Sequence, residues 1–285
     1  MFDYHVHSDC SVDCDEPMAA TCRAAIAAGV TEIAFTDHVD FEPADESTGY
    51  YDAERYFAQL DQVRAEFCGR LTILAGAEVD FNTRRAHQAE TFLDKHAFDF
   101  VIGSVHFYLP SDGREAEMVY PSIFANRASD EVYTAYLDQV REAAATGWFD
   151  TIGHMDFPKR YAPGTHRDYD PYRYRESFEA VFQELIRSGT AFEINTSGLR
   201  KVGLAGLPGP AVVRWYAEAG GTRITTGSDS HEACTIGSGI PTTLTMLGLC
   251  GIEKVLSFRN RVATPVSITD LLTPNVPGSG VHETA

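Results

Sequence analysis

The sequence predicts an α/β fold, a parallel barrel built from seven strand–helix units. Short apolar segments of strand length alternate along the chain with longer segments of helical periodicity. A length of 285 residues suits one such barrel as a single domain. Histidines and carboxylates recur where the apolar segments end, as expected for the active face of a barrel, although seven units are one fewer than usual.

Glycines and prolines separate the predicted elements from one another. The seven predicted strands span residues 2–6, 32–35, 71–77, 98–105, 149–152, 190–194 and 222–226. The helices between them are expected near residues 17–28, 52–67, 85–96, 130–145, 172–188 and 208–219.

The remaining segments complete the predicted layout. Residues 108–129 form a polar insertion, which we expect to lie as a loop over the active face. Segments 256–261 and 269–272 are expected to pack against the barrel. Residues 1–273 would then make one domain, followed at 274–285 by a flexible tail that is rich in proline and glycine.

The composition argues against several kinds of partner. The chain has 23 basic and 41 acidic residues, a formal net charge of −18, and so is unsuited to binding nucleic acid or anionic lipid through Lys and Arg contacts. No apolar stretch is long enough to cross a bilayer, and no signal peptide is recognised at the N-terminus. The six scattered cysteines are expected to be reduced thiols in a cytoplasmic protein of unspecified oligomeric state.

Nine histidines and carboxylates lie at or just after the ends of predicted strands. Because these ends meet on one face of a parallel barrel, we expect the nine side chains to form one centre. A single buried histidine is more often a core residue, whereas the whole set favours metal ligation. His5 and His7 also point to the same side of their strand, since side chains alternate with a period of two. The set is His5, His7, Asp13, His38, Glu78, His106, His154, Asp229 and His231.

The ligand types indicate which metals and which chemistry to expect. Imidazole nitrogens mixed with carboxylate oxygens favour zinc, manganese or iron over magnesium. A carboxylate such as Glu78 has two oxygens and can bridge two cations. Two neighbouring cations can activate a water and hold both ends of an in-line displacement at phosphorus.

In order and spacing these residues resemble the successive motifs of the PHP (polymerase and histidinol phosphatase) superfamily. The resemblance runs from residue 3 to about residue 240. The motifs are His5-Val6-His7 with Ser11-Val12-Asp13, Thr36-Asp37-His38, Gly76-Ala77-Glu78, Gly103-Ser104-Val105-His106, Gly153-His154-Met155-Asp156 and Gly227-Ser228-Asp229-Ser230-His231. Asp13, where many relatives carry histidine, and the segment 195–200 look more like the stand-alone histidinol-phosphate phosphatases than the polymerase-associated members.

This resemblance implies a distorted (βα)7 TIM-like barrel, the PHP fold, with three divalent transition-metal ions (Zn, Mn or Fe). The ligands implied for the first ion are His5, His7, Glu78 and Asp229. Those implied for the second ion are Glu78, His106 and His154. Those implied for the third ion are Asp13, His38 and His231.

The resemblance and the ligand set together predict a phosphomonoesterase that converts L-histidinol phosphate to L-histidinol and phosphate in histidine biosynthesis. The expected catalytic residues are Glu78, Asp229 and His231. The substrate would be a small phosphorylated molecule.

Two arginines are expected to bind the phosphoryl oxygens of that substrate. Arg160 and Arg200 each follow a predicted strand on the active face, and a planar guanidinium group suits bidentate contact with phosphate. The neighbouring Lys159 and Lys201 are expected to lie at the surface instead.

Three alternatives stay open from the residues. Another PHP phosphatase, acting on phosphotyrosine or a nucleotide, would use the same centre. A barrel amidohydrolase or deaminase also begins with two histidines one residue apart, but would normally lack the third-ion set, so the number of bound metals separates it. A non-catalytic metal-binding module would be expected to lack some of the ligands.

Overall fold

Twelve strands are formed in the part of the chain that the computed structural model describes, residues 1–43, 45–110, 112–164, 169–200 and 205–273. In chain order they are Phe2–Val6 (β1), Glu32–Phe35 (β2), His38–Val39 (β3), Thr72–Asp80 (β4), Phe100–Ser104 (β5), Phe107–Tyr108 (β6), Glu117–Met118 (β7), Thr151–Ile152 (β8), Ala191–Asn195 (β9), Ile224–Gly227 (β10), Lys254–Arg259 (β11) and Val262–Ser267 (β12).

Seven of these strands form the predicted parallel barrel. Their order around the sheet is β1-β2-β4-β5-β8-β9-β10, and β3 adds a short parallel pairing to the long strand β4. The ring is nearly closed between its first and last strands, where the Asp229 N–H donates to the His5 carbonyl at 2.8 Å. The His7 N–H likewise donates to the Ser230 carbonyl at 2.9 Å. The barrel class and its seven units are therefore confirmed.

Helices connect successive barrel strands and cover the outside of the barrel. They are Met18–Ala27 (α1), Ala53–Glu66 (α2), Ala86–Lys95 (α3), Ser129–Thr146 (α4), Arg175–Ser188 (α5), Pro210–Glu218 (α6), Ile240–Leu249 (α7) and Ile268–Leu272 (α8). The first six lie within a few residues of the predicted positions. Gly147 and Gly189 end α4 and α5 in the left-handed conformation (φ 68° and 73°), which glycine adopts at little cost.

The core has an outer and an inner part. In the outer part α5 packs an apolar stripe inward, made by Phe178, Val181, Phe182 and Leu185, with the spacing of one helix face. The inner part fills the barrel away from the strand ends that carry the histidines. It contains Tyr4, Ala34, Leu74, Phe100, Ile102, Ala191, Leu256 and Phe258.

The antiparallel hairpin β11–β12 contributes to this inner core, so the expectation that residues 256–261 pack against the barrel is confirmed. The Phe258 ring lies 4.9 Å from the Phe100 ring and 6.1 Å from the Tyr4 ring, measured between centroids. The hairpin and α8 anchor the end of the described chain to the barrel.

Other predictions for this region were incomplete. No element was predicted at α7, and the C-terminal segments were expected only to pack against the barrel, with no hairpin anticipated. The insertion 108–129 is not a simple loop, because β6 pairs with β7 and residues Pro121–Phe124 form a 3-10 turn. The predicted tail at 274–285 and the residue Lys201 lie outside the described residues. Within the described ranges, no helix combines the length and the apolar character needed to span a membrane.

Candidate metal centre

The structure brings all nine predicted ligand residues together at the carboxyl ends of the barrel strands. His5 lies in β1, His38 begins β3 and Glu78 lies in β4. The other six residues lie in the loops that follow β1, β5, β8 and β10. Residues from position 5 to position 231 of the chain therefore share one cluster, because the carboxyl ends of the parallel strands lie on one face of the barrel.

Glu78 stands at the middle of this cluster, with only 1% of its surface exposed. Its Oε2 lies 3.1 Å from His5 Nε2 and 3.1 Å from His38 Nδ1. Its Oε1 lies 2.9 Å from His154 Nε2 and 3.3 Å from His106 Nε2. The two oxygens thus face different pairs of histidines, which is the arrangement expected of a bridging carboxylate.

Asp229 and Asp13 supply further carboxylate contacts to the histidines of the cluster. Asp229 Oδ1 lies 3.6 Å from both His7 Nε2 and His231 Nδ1. Asp13 Oδ2 lies 3.1 Å from His231 Nε2 and 3.6 Å from His38 Nε2. Asp229 adopts a positive φ of 53°, an unusual backbone state for a residue other than glycine, so the turn after β10 is shaped to present this side chain.

Several buried ligand atoms of the cluster have no hydrogen-bond partner within the described chain. These atoms are His5 Nε2, His7 Nε2, His38 Nδ1, Glu78 Oε2 and His231 Nε2. A buried polar atom without a partner is costly, and here the atoms converge on common points. Nitrogen and carboxylate donors of this kind suit a divalent transition metal, so the residues present fit such ions.

The ligand atoms fall into four groups, each with its atoms within 4.8 Å of one another. The groups are His5, His7 and Asp229; His5, Glu78 and His154; His7, His38 and His231; and His38, Asp40 and His106. The first three agree in large part with the sets that the sequence implied. The fourth contains Asp40, which the sequence analysis did not name.

Neighbouring positive groups lower the pKa values of Glu78 and Asp229 and keep both carboxylates ionised. Burial alone would raise the pKa of Glu78, but His5, His106 and His38 hold it well below its usual range. The pKa of Asp229 is also held low against burial, by His5, His7 and Arg160. Ionised carboxylates are the form that binds a cation.

The pKa values of the ligand histidines shift in two directions. Burial alone would lower the pKa of His5, yet Glu193, Glu78 and Asp229 raise it well above its usual value. The pKa values of His38 and His106 are raised in the same sense, chiefly by Glu78 acting against burial. His7 differs, because burial and the neighbouring His231 and His38 lower its pKa to about 3.

A second layer of side chains orients the ligands, and sequence reasoning missed it. Glu193 Oε1 lies 2.7 Å from His5 Nδ1, and its Oε2 accepts the His154 N–H at 3.1 Å. Gly227 permits this packing, since a Cβ there would lie 2.2 Å from the His5 Cβ and 2.4 Å from Glu193 Oε1. The available signal was a single acidic residue inside the otherwise apolar segment 190–194.

Asp40 and Asp80 form a similar layer beside His106. The His106 Nδ1 lies 3.5 Å from Asp40 Oδ1, and the His106 N–H donates to Asp80 Oδ1 at 2.9 Å. Burial and the neighbouring Asp40 raise the pKa of Asp80 to about 7. Each carboxylate follows a predicted ligand by two residues, and this spacing was the signal that could have identified it.

The two arginines that were expected to bind phosphate lie in different surroundings. Arg160 Nη1 donates to Asp229 Oδ2 at 2.9 Å and to Ser197 Oγ at 3.3 Å. Arg200 donates to the backbone carbonyls of Ser228 at 2.7 Å and Asp229 at 3.0 Å. Arg160 therefore contacts the predicted ligand Asp229 directly, whereas Arg200 stabilises the loop that carries Asp229.

The expectation that Lys159 lies at the surface is wrong. Its side chain is only 5% exposed, and Nζ donates to Asp156 Oδ2 at 2.6 Å and to the Gly206 carbonyl at 2.9 Å. A buried carboxylate supplies the charge partner that permits a lysine to be buried. Through these two bonds Lys159 connects the turn that contains Arg160 to the segment after Arg200.

A cavity of about 150 Å³ opens at the cluster. Seven of the nine predicted ligands line it, together with Arg160; among the described residues, His5, His7 and Arg200 do not. Met118, Val119 and Tyr120 also line it, so the insertion 108–129 does reach the active face as predicted. The cavity joins the ligand cluster to solvent and can admit a small molecule.

Comparisons with known proteins agree with this geometry. The family model for the PHP domain matches residues 3–197. The probable histidinol-phosphatase of Deinococcus radiodurans is 30% identical over 272 residues, which cover 92% of this chain and 98% of the relative. The histidinol-phosphatase of Lactococcus lactis is 29% identical over 264 residues, which cover 90% of this chain and 93% of the relative.

Solved structures support the same relationship. The histidinol phosphate phosphatase of Lactococcus lactis, crystallised with zinc, L-histidinol and phosphate, gives a TM-score of 0.83 at 28% identity over 92% of this chain and 98% of its own. The crystal structure of a protein from Listeria monocytogenes that is described as a histidinol phosphatase shares the fold. It gives a TM-score of 0.75 at 18% identity over 85% of this chain and 99% of its own. The motif order, the barrel and these matches show that the chain belongs to the PHP domain family.

Proposed function

We propose that this protein is a metal-dependent phosphomonoesterase that hydrolyses L-histidinol phosphate to L-histidinol and phosphate in histidine biosynthesis. The observation that carries the proposal is Glu78, whose two oxygens face separate pairs of histidines in a cavity that also contains Arg160. The names of the Deinococcus and Lactococcus relatives support the substrate, as do the zinc, L-histidinol and phosphate bound to the solved Lactococcus protein.

Three divalent ions are proposed, each with the ligand set that the family resemblance implies. Asp40 is an additional candidate ligand, because it joins His38 and His106 in one of the four ligand groups. When bound, the ions would supply Lewis-acid activation of a water and neutralise charge on the phosphoryl group.

The residues of the chain prepare the site for this chemistry. Glu193 Oε1 is placed to accept a hydrogen bond from the Nδ1–H of His5, which would leave Nε2 as the ligand atom that faces Glu78. Ser11 Oγ lies 3.1 Å from His7 Nδ1 and fixes the second ring of the pair in the same way. The ligand nitrogens are therefore oriented before a metal arrives.

Arg160 is proposed to hold the phosphoryl oxygens. Asp229 fixes the guanidinium group through Nη1 and holds it at the cavity wall, where a planar guanidinium group suits contact with an oxyanion. Arg200 is proposed as a second phosphate contact; in the structure it already stabilises the 228–229 backbone. Phosphate contact by Arg200 thus requires it to share donors between the loop and the substrate.

Phosphate release from histidinol phosphate, measured against a panel of monoesters, tests the proposal. The enzyme would be reconstituted with Zn²⁺, Mn²⁺ or Fe²⁺ and assayed also on phosphotyrosine and nucleoside monophosphates. We expect the highest kcat/KM for histidinol phosphate. A higher value for phosphotyrosine or a nucleotide would assign the centre to another phosphatase activity, and turnover of an amide instead of an ester would indicate an amidohydrolase. Fractionation of cells would test the proposed cytoplasmic location.

A further inference from the structure

A second cavity, of about 470 Å³, opens at the end of β10 that faces away from the metal centre. Arg223 lines this cavity and directly precedes β10, whereas the predicted ligand Asp229 follows the strand. The four residues of β10 span about 13 Å, so the two cavities lie on opposite faces of the barrel. A volume of this size is typical of sites that bind small molecules.

Arg223 brings a positive charge to this cavity and has no ion-pair partner within the described ranges. Its Nε is buried and lacks a hydrogen-bond partner there as well. The nearby carboxylate, Asp150, is paired with Arg261 instead. Burial raises the pKa of Asp150 to about 6, and Arg261 acts more strongly than Arg223 to lower it. Because a buried N–H donor without a partner is costly, a ligand that supplies an acceptor would be favoured at Arg223.

The backbone of Arg223 is held in place by Tyr216, a buried residue of α6. The Arg223 N–H donates to the Tyr216 hydroxyl, and this hydroxyl donates to the Arg223 carbonyl, both at 3.3 Å. Gly221 permits the close approach of the tyrosine, since a Cβ at Gly221 would lie 2.2 Å from the ring. These contacts do not involve the Arg223 side chain, so a substitution at this position can remove the charge and keep the backbone in place.

The other side chains of the cavity define the kind of ligand that fits. Leu256 and Pro265 give it an apolar wall. Lys254 and Glu253 also line it and offset each other in charge, which leaves the single positive charge of Arg223. One guanidinium group suits one carboxylate, with which it can form two parallel hydrogen bonds. A doubly charged anion would lack a second uncompensated positive charge in this lining.

We propose that this cavity is a second binding site, which takes a small molecule with one carboxylate and an apolar body. The carboxylate pairs with Arg223, and the body packs against Leu256 and Pro265. Burial of the body removes apolar surface from water, and the carboxylate supplies the acceptor that the guanidinium group lacks. Because β10 separates this site from the metal centre, its ligand does not compete with the substrate for the metal ions.

Two probes of the same shape test the charge requirement. They are 3-phenylpropionate and its uncharged amide, 3-phenylpropionamide, each titrated into the metal-loaded protein by isothermal titration calorimetry. We expect a Kd of about 1 mM for the carboxylate, the scale of a small ligand with one charged contact. The amide should bind at least about 10-fold more weakly, because it cannot form the charge-assisted pair with Arg223.

Three variants locate the site. Arg223→Gln should weaken binding of the carboxylate by about 10-fold or more and leave binding of the amide unchanged. Ala217→Leu places a larger side chain in the cavity wall and should weaken both probes. Arg214→Gln is the matched control, since Arg214 is exposed on the same helix as Ala217 and is not part of the lining; it should leave both probes unaffected.

Either of two results would overturn the inference. Equal affinity for 3-phenylpropionate in the wild type, Arg223→Gln and Ala217→Leu would mean that the carboxylate binds elsewhere, the metal ions included. No binding to the wild type at about 10 mM probe would mean that the cavity does not select a carboxylate. The titrations do not depend on turnover, so this inference and the proposed phosphatase function can each fail while the other stands.

Discussion

Glu78 is the residue on which the electrostatics of the centre depend most. Each of its two oxygens lies within 3.3 Å of two histidine nitrogens, and Ser104 Oγ donates to Oε1 at 2.6 Å. Among the described residues, Asp229 contacts His5, His7 and His231, so it does not duplicate the contacts of Glu78 with His38, His106 and His154.

Replacing Glu78 with glutamine should therefore reduce kcat/KM by at least about 100-fold, the scale of losing a charge-stabilising group. Asp13→Asn should lose much less, because Asp13 is half exposed and, within the described ranges, pairs with two histidines at its edge of the cluster, His38 and His231. Steady-state kinetics with metal analysis on both variants checks the comparison. If Glu78→Gln retains turnover within a few-fold of wild type, Glu78 does not bridge metals.

Arg160 permits a prediction that separates phosphate recognition from metal binding. Arg160→Ala should reduce kcat/KM by about 100-fold while the metal content stays unchanged, since a guanidinium group does not ligate a cation. Arg160→Lys should recover only part of the loss, because an ammonium keeps the charge and loses the planar fork. Arg200→Ala should show a similar loss if Arg200 also contacts phosphate. Normal kinetics in either alanine variant would remove that arginine from the site.

At the scale of elements, a buried ion pair anchors the turn Phe157–Arg160, which follows β8. Lys159 bonds Asp156 within the turn and the Gly206 carbonyl on the segment that follows β9. Its Nζ also lies 5.3 Å from the Tyr169 ring centroid. Lys159 thus connects the turn that carries Arg160 to the segment around Gly206, which follows Arg200 in the chain.

Lys159→Met should lower the free energy of unfolding by about 3–5 kcal/mol, because it leaves Asp156 buried without its charge partner. Urea unfolding monitored by circular dichroism measures the change. Lys95→Met provides the control, since Lys95 is exposed in the last turn of α3 and its loss should cost under about 0.5 kcal/mol. Equal stability of the two variants would mean that the pair at Lys159 contributes nothing.

Elements with a local signal could be predicted from the sequence, and elements without one could not. Strand ends were identified because a histidine or carboxylate directly follows a short apolar run. Helix α7 lacks such a signal: its sequence IPTTLTMLGL has no charged face and contains residues with poor helix propensity. Strand β12 contains Pro265, which usually argues against a strand, and β3 is only two residues long.

The same distinction applies to the site. His5 and His231 could be assigned from motif spacing, whereas the roles of Glu193 and Lys159 depend on contacts across 188 and 47 positions of sequence. A buried lysine and an exposed lysine look alike in a sequence, because burial is decided by the partner that the fold provides.

At the scale of the whole molecule, the metal centre depends on the contacts between the first and the last strands of the barrel. Asp3 at the start of the chain accepts the N–H groups of Ser228 and Gly237, both at 2.8 Å. The first strand therefore positions the last ligand loop. The cluster concentrates acidic groups in a chain whose net charge is already −18, and bound cations would offset part of that charge.

Metal binding should accordingly depend on pH in a defined direction. The pKa values of His5, His38 and His106 are raised above the usual histidine value, because Glu78 and neighbouring carboxylates outweigh burial. A ligand histidine must be neutral, so protons compete with metal. Because the raised pKa values favour the proton, this competition begins at a higher pH than for an ordinary histidine.

We therefore expect close to three transition-metal ions per chain after dialysis at about pH 8 and progressively fewer towards about pH 5.5, with activity lost in parallel. Elemental analysis of dialysed protein measures the ions, and near-ultraviolet circular dichroism at each pH separates metal release from unfolding. Chelation at about pH 8 should abolish turnover and leave the barrel folded. Active enzyme with one ion or fewer per chain would contradict the three-ion centre and favour an amidohydrolase. A metal content that does not change with pH would mean that these histidines are not the ligands.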